Sequence, residues 1–188
     1  YNKSNARGLV AHYQAVSDAV NIPIIIYNVP SRTNCNITAA MLQELAKIKN
    51  IQAIKEASGD IAQVLEMHRT CGDRLVIYSG NDDMVVPLMV AGGKGVISVV
   101  ANVAPRDTHN MAAAFLSGKV EESLQLQLKL LPLINALFCE VNPIPVKTAM
   151  NLMGFNMGPL RLPLADMADN NLELLKNAMQ DYGLILAK

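Results

Sequence analysis

The chain has 188 residues, half of them apolar, with 16 acidic and 16 basic side chains. That length suits about one domain with a sizeable core, and the charge balance offers no footing for nucleic acid or an anionic membrane surface. No apolar run approaches the ~18–20 residues of a membrane-spanning helix, and Cys35, Cys71 and Cys139 are too few and too scattered for a disulfide framework or a zinc site, which fits reduced thiols in a cytoplasmic protein.

In chain order, residues 6–20 read as an amphipathic helix with Leu9, Tyr13, Val16 and Val20 on one face. Asn21-Ile22-Pro23 breaks it, and IIIY (24–27) reads as a strand. Thr38 can cap a helix over 38–47, and 51–55 is a second strand. Residues 60–71 form a helix ending at Gly72, LVIYSG (75–80) a third strand, and Asn81-Asp82 can cap a helix running through Met89. GVISVVA (95–101) reads as a fourth strand, followed by a helix over 107–117. Residues 119–188 read as helical, and the 119–138 helix is apolar around much of its circumference, which predicts deep burial and a bend near Pro132. No signal-peptide pattern opens the chain, and Tyr1-Asn2-Lys3, without an initiator Met, reads as if something precedes it.

The strands are continuous apolar runs, the pattern of a parallel sheet covered by helices. Two α/β architectures fit. A doubly wound sheet usually carries a glycine-rich first turn, and neither GxGxxG nor GxxxxGK[ST] is present. A (β/α)₈ barrel needs eight strands and ~250 residues, so four strands would be half of one.

In a barrel the chemistry gathers where strands end. Tyr27 ends the first strand, Lys55 the second, Ser79-Gly80 the third, and Ile97-Ser98 lies near the end of the fourth. A lysine at an apolar strand end has its ammonium form disfavoured by burial, and a neutral amine can attack a ketone to form a Schiff base. Tyr27 can pass protons, because a phenol both donates and accepts. Arg32, on the following loop, can grip a carboxylate at two points. Glu56 should face away from Lys55, which makes it a weak partner for the amine. Taken singly, a strand-end lysine is most often solvated or ion-paired, a tyrosine a core residue and a loop arginine a salt-bridge partner. His12, His68 and His109 fall on helices and read as structural, and Asp82 and Asp83 read as a cap rather than a metal site.

The combination weighs more than its parts. YNVPSRT (27–33), IKEASGD (54–60), SGNDD (79–83), GGKGVISVVAN (92–102) and NPIPVK (142–147) together resemble the dihydrodipicolinate synthase family, within the pyruvate-dependent, Schiff-base class I aldolases of (β/α)₈ fold. The resemblance covers essentially the whole chain. It implies that Lys55 forms the imine with pyruvate. It also implies that Tyr27 belongs to a proton relay, that Arg32 holds the incoming L-aspartate 4-semialdehyde, and that the backbones of Gly80 and Ile97 line the pocket. Tyr1 resembles a family tyrosine supplied to the neighbour's relay across a tight dimer interface. The implied product is 4-hydroxy-tetrahydrodipicolinate, on the route to diaminopimelate and lysine, with no cofactor or metal. The implied assembly is a homo-oligomer, a dimer of tight dimers.

N-acetylneuraminate lyase and the keto-sugar-acid aldolases share the tyrosine and lysine, and Arg32 with NPIPVK favours the synthase over them. The resemblance begins past the family's fourth strand. It thus implies the C-terminal half of a barrel (1–118) followed by a final barrel helix and C-terminal helical region (119–188), with the N-terminal half as missing partner. Such a half exposes open strand edges and is expected to be unstable and inactive alone, which leaves open a non-catalytic fragment or assembly module.

Overall fold

The computed structural model describes residues 3–187. The chain forms two compact units, one ending at Ile97 and the other starting at Ser98.

The first unit alternates helix and strand. Helix α1 (Ala6–Ala19) starts where the Asn5 side chain accepts a hydrogen bond from the Gly8 amide. Strand β1 (Ile24–Asn28) leads into a single turn, α2 (Pro30–Thr33), and then α3 (Ala39–Leu45), whose cap is the expected Thr38. Strand β2 (Ile51–Glu56) is followed by α4 (Ile61–Cys71), capped by Asp60. Strand β3 (Val76–Ser79) passes through a 3-10 turn (Asp82–Met84) into α5 (Val85–Val90). The Asn81 side chain makes no cap bond to the helical turn, and Asp82, the other residue of the expected cap, is buried.

The three strands are parallel, in the order β1-β2-β3. Because side chains alternate along a strand, the pairing sorts the sheet into rows on two faces. Ile26, Ile54 and Ile77 align across the sheet and are 0–2% exposed. They pack with Leu42, Leu45 and Met67 in the core under the helices. Full burial of such side chains contributes about 1.5–3 kcal/mol each. The opposite face carries Ile25, Ala53 and Val76, and here Ile25 is 50% and Val76 37% exposed. That row is mixed, because Ala53 between them is 4% exposed, while the isoleucine face is buried throughout.

The expected fourth strand is reduced to a single parallel bridge, Ser79 to Val96. Residues 94–97 do run beside β3, since the Lys94 amide donates to Ile77 O, Ser79 N to Gly95 O and Ile97 N to Ser79 O. Gly95 has φ +150°, off the regular strand conformation. Ser98 then turns the chain, its Oγ accepting from the Ala101 amide, into a 3-10 turn at Val100–Asn102. β-branched content made GVISVVA look like a strand, and the Ser98 turn ends the run after Ile97.

The second unit is helical: α6 (Pro105–Leu116), α7 (Val120–Leu137), α8 (Ile144–Leu152) and α9 (Asp169–Tyr182). Its core includes Met111, Leu130, Leu133, Leu137, Leu175 and Met179, each fully buried. Helix α7 continues through Pro132 as one element. It is less buried than expected: Val120, Leu124 and Leu128 are exposed, while Ser123 and Gln127 are buried. Ser123 is accommodated because its Oγ donates to Met111 O at 2.7 Å. A polar group ties α6, α7 and α9 together. Asp107 Oδ2 accepts from Lys129 Nζ at 2.8 Å and from the Tyr182 hydroxyl at 2.5 Å. Lys129, then Tyr182, hold the Asp107 carboxyl below its ordinary range. Burial and then Asp107 push the Tyr182 phenol well above its own.

Candidate active site

One step beyond the isoleucine row, the strands end in two further rows. Tyr27 aligns with Lys55, and Lys55 with Tyr78. Asn28 aligns with Glu56, and Glu56 with Ser79. The first row lies on the open face and the second on the core face, where all three residues are at most 2% exposed.

On the open face Lys55 Nζ sits 4.2 Å from the centroid of the Tyr27 ring. The ring offers its electron-rich face to the amine. Lys55 is half-buried, and burial lowers its pKa, with the nearby Asp82 carboxylate acting in the opposite direction. The amine is thereby shifted towards the neutral form that can act as a nucleophile, while an anion close by limits the shift.

Gly80 follows β3 directly, and its amide donates to Glu56 O at 2.7 Å. A Cβ there would meet Ala57 Cβ at 2.7 Å and Lys55 Cε at 3.1 Å. The site therefore requires glycine, so that the backbone can lie against the lysine stem. Ile97 donates its amide to Ser79 O at 2.9 Å, which brings its backbone to the end of β3. Arg32 is exposed on α2, immediately beyond β1. Tyr1 lies outside the described residues.

Four of the residues named from the sequence, Tyr27, Lys55, Gly80 and Ile97, thus gather at the carboxyl ends of parallel strands, and Arg32 is on the helical turn that follows β1. Sequence reasoning misses Tyr78, although it shares the row with Lys55; only the pairing register reveals that. Asp82, expected as a cap, is a buried charge acting on Lys55. The competing lysine of the NPIPVK segment, Lys147, donates to Pro159 O at 2.7 Å and pins a loop. His12, His68 and His109 lie on α1, α4 and α6. Among the described residues no group of three His, Cys, Asp or Glu side chains is arranged to hold a metal ion, and no helix is long and apolar enough to cross a membrane.

Residues 1–182 match the model of the dihydrodipicolinate synthetase family. The chain belongs to that family. A 4-hydroxy-tetrahydrodipicolinate synthase of Clostridium perfringens is 58% identical over 185 residues, 98% of this chain and 64% of the relative. The crystal structure of a dihydrodipicolinate synthase from Thermotoga maritima superposes with a TM-score of 0.95 at 43% identity, covering 98% of this chain and 64% of that one. A chloride-inhibited dihydrodipicolinate synthase from Acinetobacter baumannii, crystallised in complex with pyruvate, gives a TM-score of 0.94 at 40% identity, covering 98% and 64%. The chain therefore spans about 64% of the length of these dihydrodipicolinate synthetase family members and corresponds to the C-terminal portion of their (β/α)₈ barrels.

Proposed function

We propose that the protein to which this chain belongs is a Schiff-base synthase that condenses pyruvate with L-aspartate 4-semialdehyde to 4-hydroxy-tetrahydrodipicolinate. The observation that carries this reading is the pairing at the strand ends: a lysine of lowered pKa at the end of the central strand, 4.2 Å from a tyrosine ring in the same row. The activity for which the relatives are named and the pyruvate in the Acinetobacter baumannii structure support the choice of substrates.

The chemistry follows from an amine in that position. Lys55 Nζ attacks the keto carbon of pyruvate, and loss of one water leaves a protonated imine. The imine acidifies the adjacent methyl group, which gives up a proton to form an enamine. The enamine carbon attacks the aldehyde of the semialdehyde, whose oxygen takes up a proton. The amino group of the semialdehyde then displaces Lys55 from the imine carbon, closing the ring and freeing the lysine. Net, two substrates give one product and one water.

In this reading Tyr27 moves protons to and from the oxygen centres, Arg32 binds the semialdehyde carboxylate, and the backbones of Gly80 and Ile97 bound the pocket. Tyr1 reaches the neighbouring subunit's relay in a dimer of tight dimers, and the enzyme acts in the cytoplasm. The test is borohydride reduction in the presence of pyruvate, followed by peptide mass mapping. A reduced pyruvyl group on Lys55 is expected. Its appearance on Lys147 instead, or cleavage of a sialic or keto-sugar acid with refusal of the semialdehyde, would overturn the assignment.

A further inference from the structure

On the core face of the sheet, directly behind the lysine, lies a hydrogen-bonded group that the chemistry above does not use. Glu56 is 2% exposed, an unusual place for a carboxylate unless it is fully engaged. Its Oε2 accepts from Asn28 Nδ2 at 2.8 Å and its Oε1 from the Ser58 amide at 2.7 Å. Asn28, 1% exposed, also donates to Asn36 Oδ1 at 2.9 Å, and its own Oδ1 accepts from the Ile37 amide at 2.9 Å. Backbone bonds add to the same knot: Ala57 N donates to Asn28 O at 2.9 Å and Gly80 N to Glu56 O at 2.7 Å. Its two central side chains are each one residue beyond a member of the reactive row: Asn28 follows Tyr27, and Glu56 follows Lys55.

We propose that Glu56 and Asn28 are positioning residues, a clamp that holds the end of β1 against the end of β2 and so keeps the Tyr27 ring against the Lys55 amine. The proposal rests on Lys55 being the imine-forming residue, and neither clamp residue touches substrate. A side-chain bond between strand ends fixes their separation where the ladder stops. The Ser58 contact fixes the turn that leaves β2. Buried, charge-assisted bonds of this kind are stiff, because water cannot replace either partner.

The test uses the full-length protein and two readouts. The first is the rate of borohydride trapping of pyruvate on Lys55 at saturating pyruvate. The second needs no substrate: Lys55 is reductively methylated with ¹³C-formaldehyde, and its NMR resonance, assigned through Lys55→Arg, reports the ring current of Tyr27. In Glu56→Gln one of two accepting oxygens becomes a donor, so the new amide nitrogen faces either the Asn28 amide nitrogen or the Ser58 N–H, donor against donor. The expected result is a trapping rate reduced about 10²-fold, the scale of a displacement near 1 Å, together with loss of the ring-current shift. The double variant Asn28→Asp, Glu56→Gln exchanges donor and acceptor. It lets the new amide at position 56 donate to the new carboxylate at position 28, while the Asn36 and Gln63 amides, which are hydrogen-bonded to each other, turn over together. It is expected to restore both readouts to within about tenfold of the parent.

Glu56→Gln with unchanged trapping and ring current overturns the proposal. So does a folded double variant that regains neither, and so does failure of both variants to fold, which would make the pair a determinant of folding alone. If the parent protein shows the ring current but traps no pyruvate on Lys55, the synthase reading falls and the clamp is judged on the ring current alone.

Discussion

Gly80 lies so close to Lys55 that a methyl group on its Cα would stand 3.1 Å from Lys55 Cε and 2.7 Å from Ala57 Cβ. The second contact is shorter than real Cβ atoms tolerate, and Ala57 has no flexible end to yield. Gly80→Ala should therefore destabilise the fold by about 1–3 kcal/mol, the usual cost of overpacking. It should also displace the lysine and slow imine formation. Denaturant titration together with pyruvate trapping checks this, and an alanine variant equal to the parent in both would show that the close approach is not needed.

Lys55 should titrate below 10.5, the ordinary lysine value, because burial opposes its charge. Imine formation should accordingly rise with pH to a midpoint below that of a free lysine. Asp82 pulls the other way, so Asp82→Asn should move the midpoint lower still. The sign for stability follows from proton binding. Below the unfolded value the unfolded chain holds more protons on Lys55 than the folded one, so this residue's contribution to stability improves as pH rises through that window. A pH profile of trapping rate for the two proteins decides the matter, and a midpoint moving upward in the asparagine variant would contradict it.

Tyr27→Phe should leave the structure intact and lower turnover by about 10²–10⁴-fold, the usual effect of removing one acid–base group. Arg32→Ala should weaken the step that takes up the semialdehyde while sparing imine formation with pyruvate. Measuring the two half-reactions separately distinguishes these roles; equal damage to both by the arginine variant would make Arg32 structural.

Much of this site could be read from the sequence because strand ends announce themselves. IIIYN, IQAIKE and VIYS run apolar and stop at polar or glycine-containing turns, and Thr38 and Asp60 sit where capping residues should. Pairing register was not readable. It puts Tyr78 beside Lys55 and joins Asn28 to Glu56, and neither relation follows from spacing along one strand. Strand alternation turns Glu56 away from the lysine, as expected; its hydrogen bond to a residue 28 positions earlier was beyond a local reading. GVISVVA misled because β-branched content signals a strand, while the Ser98 turn decides where it ends. In α7 the apolar residues outnumber the positions its neighbours can cover. Burial there follows Leu130, Leu133 and Leu137 and leaves Leu124 and Leu128 to solvent.

In the helical unit, Tyr182→Phe should cost about 1 kcal/mol through loss of its bond to Asp107. The effect should depend on pH. The folded state holds the Tyr182 proton more tightly than the unfolded chain, so the contribution is complete below the ordinary tyrosine value of 10.0 and declines as pH rises above it. Unfolding measured at neutral and strongly alkaline pH should show the gap between parent and variant closing at the alkaline end. A constant gap would mean the hydroxyl contributes only packing.

Residues 1–188 prepared as a separate polypeptide should show little synthase activity despite carrying Lys55, Tyr27 and Arg32. They span about 64% of the relatives' length, and losing well-oriented substrate placement can cost several kcal/mol, up to about 7–11. Addition of a separately made polypeptide covering the remaining barrel strands should raise the activity if the two halves close one sheet. Turnover at the level of the full-length enzyme by residues 1–188 alone, with purity checked by mass, would refute this.

The division of each strand end between two faces has a bearing on how such a protein could be redesigned. Neighbours in sequence, Tyr27 and Asn28 or Lys55 and Glu56, have different surroundings: one residue lies on the open face of the sheet and the next is buried in the core. A combinatorial library varied at 27 and 78 would explore new reactivity around an unchanged lysine, without disturbing the buried hydrogen bonds beneath it. The same library extended to 28, 56 and 79 would cut into the buried hydrogen bonds that hold the strand ends together. A period of two thus lets one face be varied while the other stays fixed, using adjacent codons to do so.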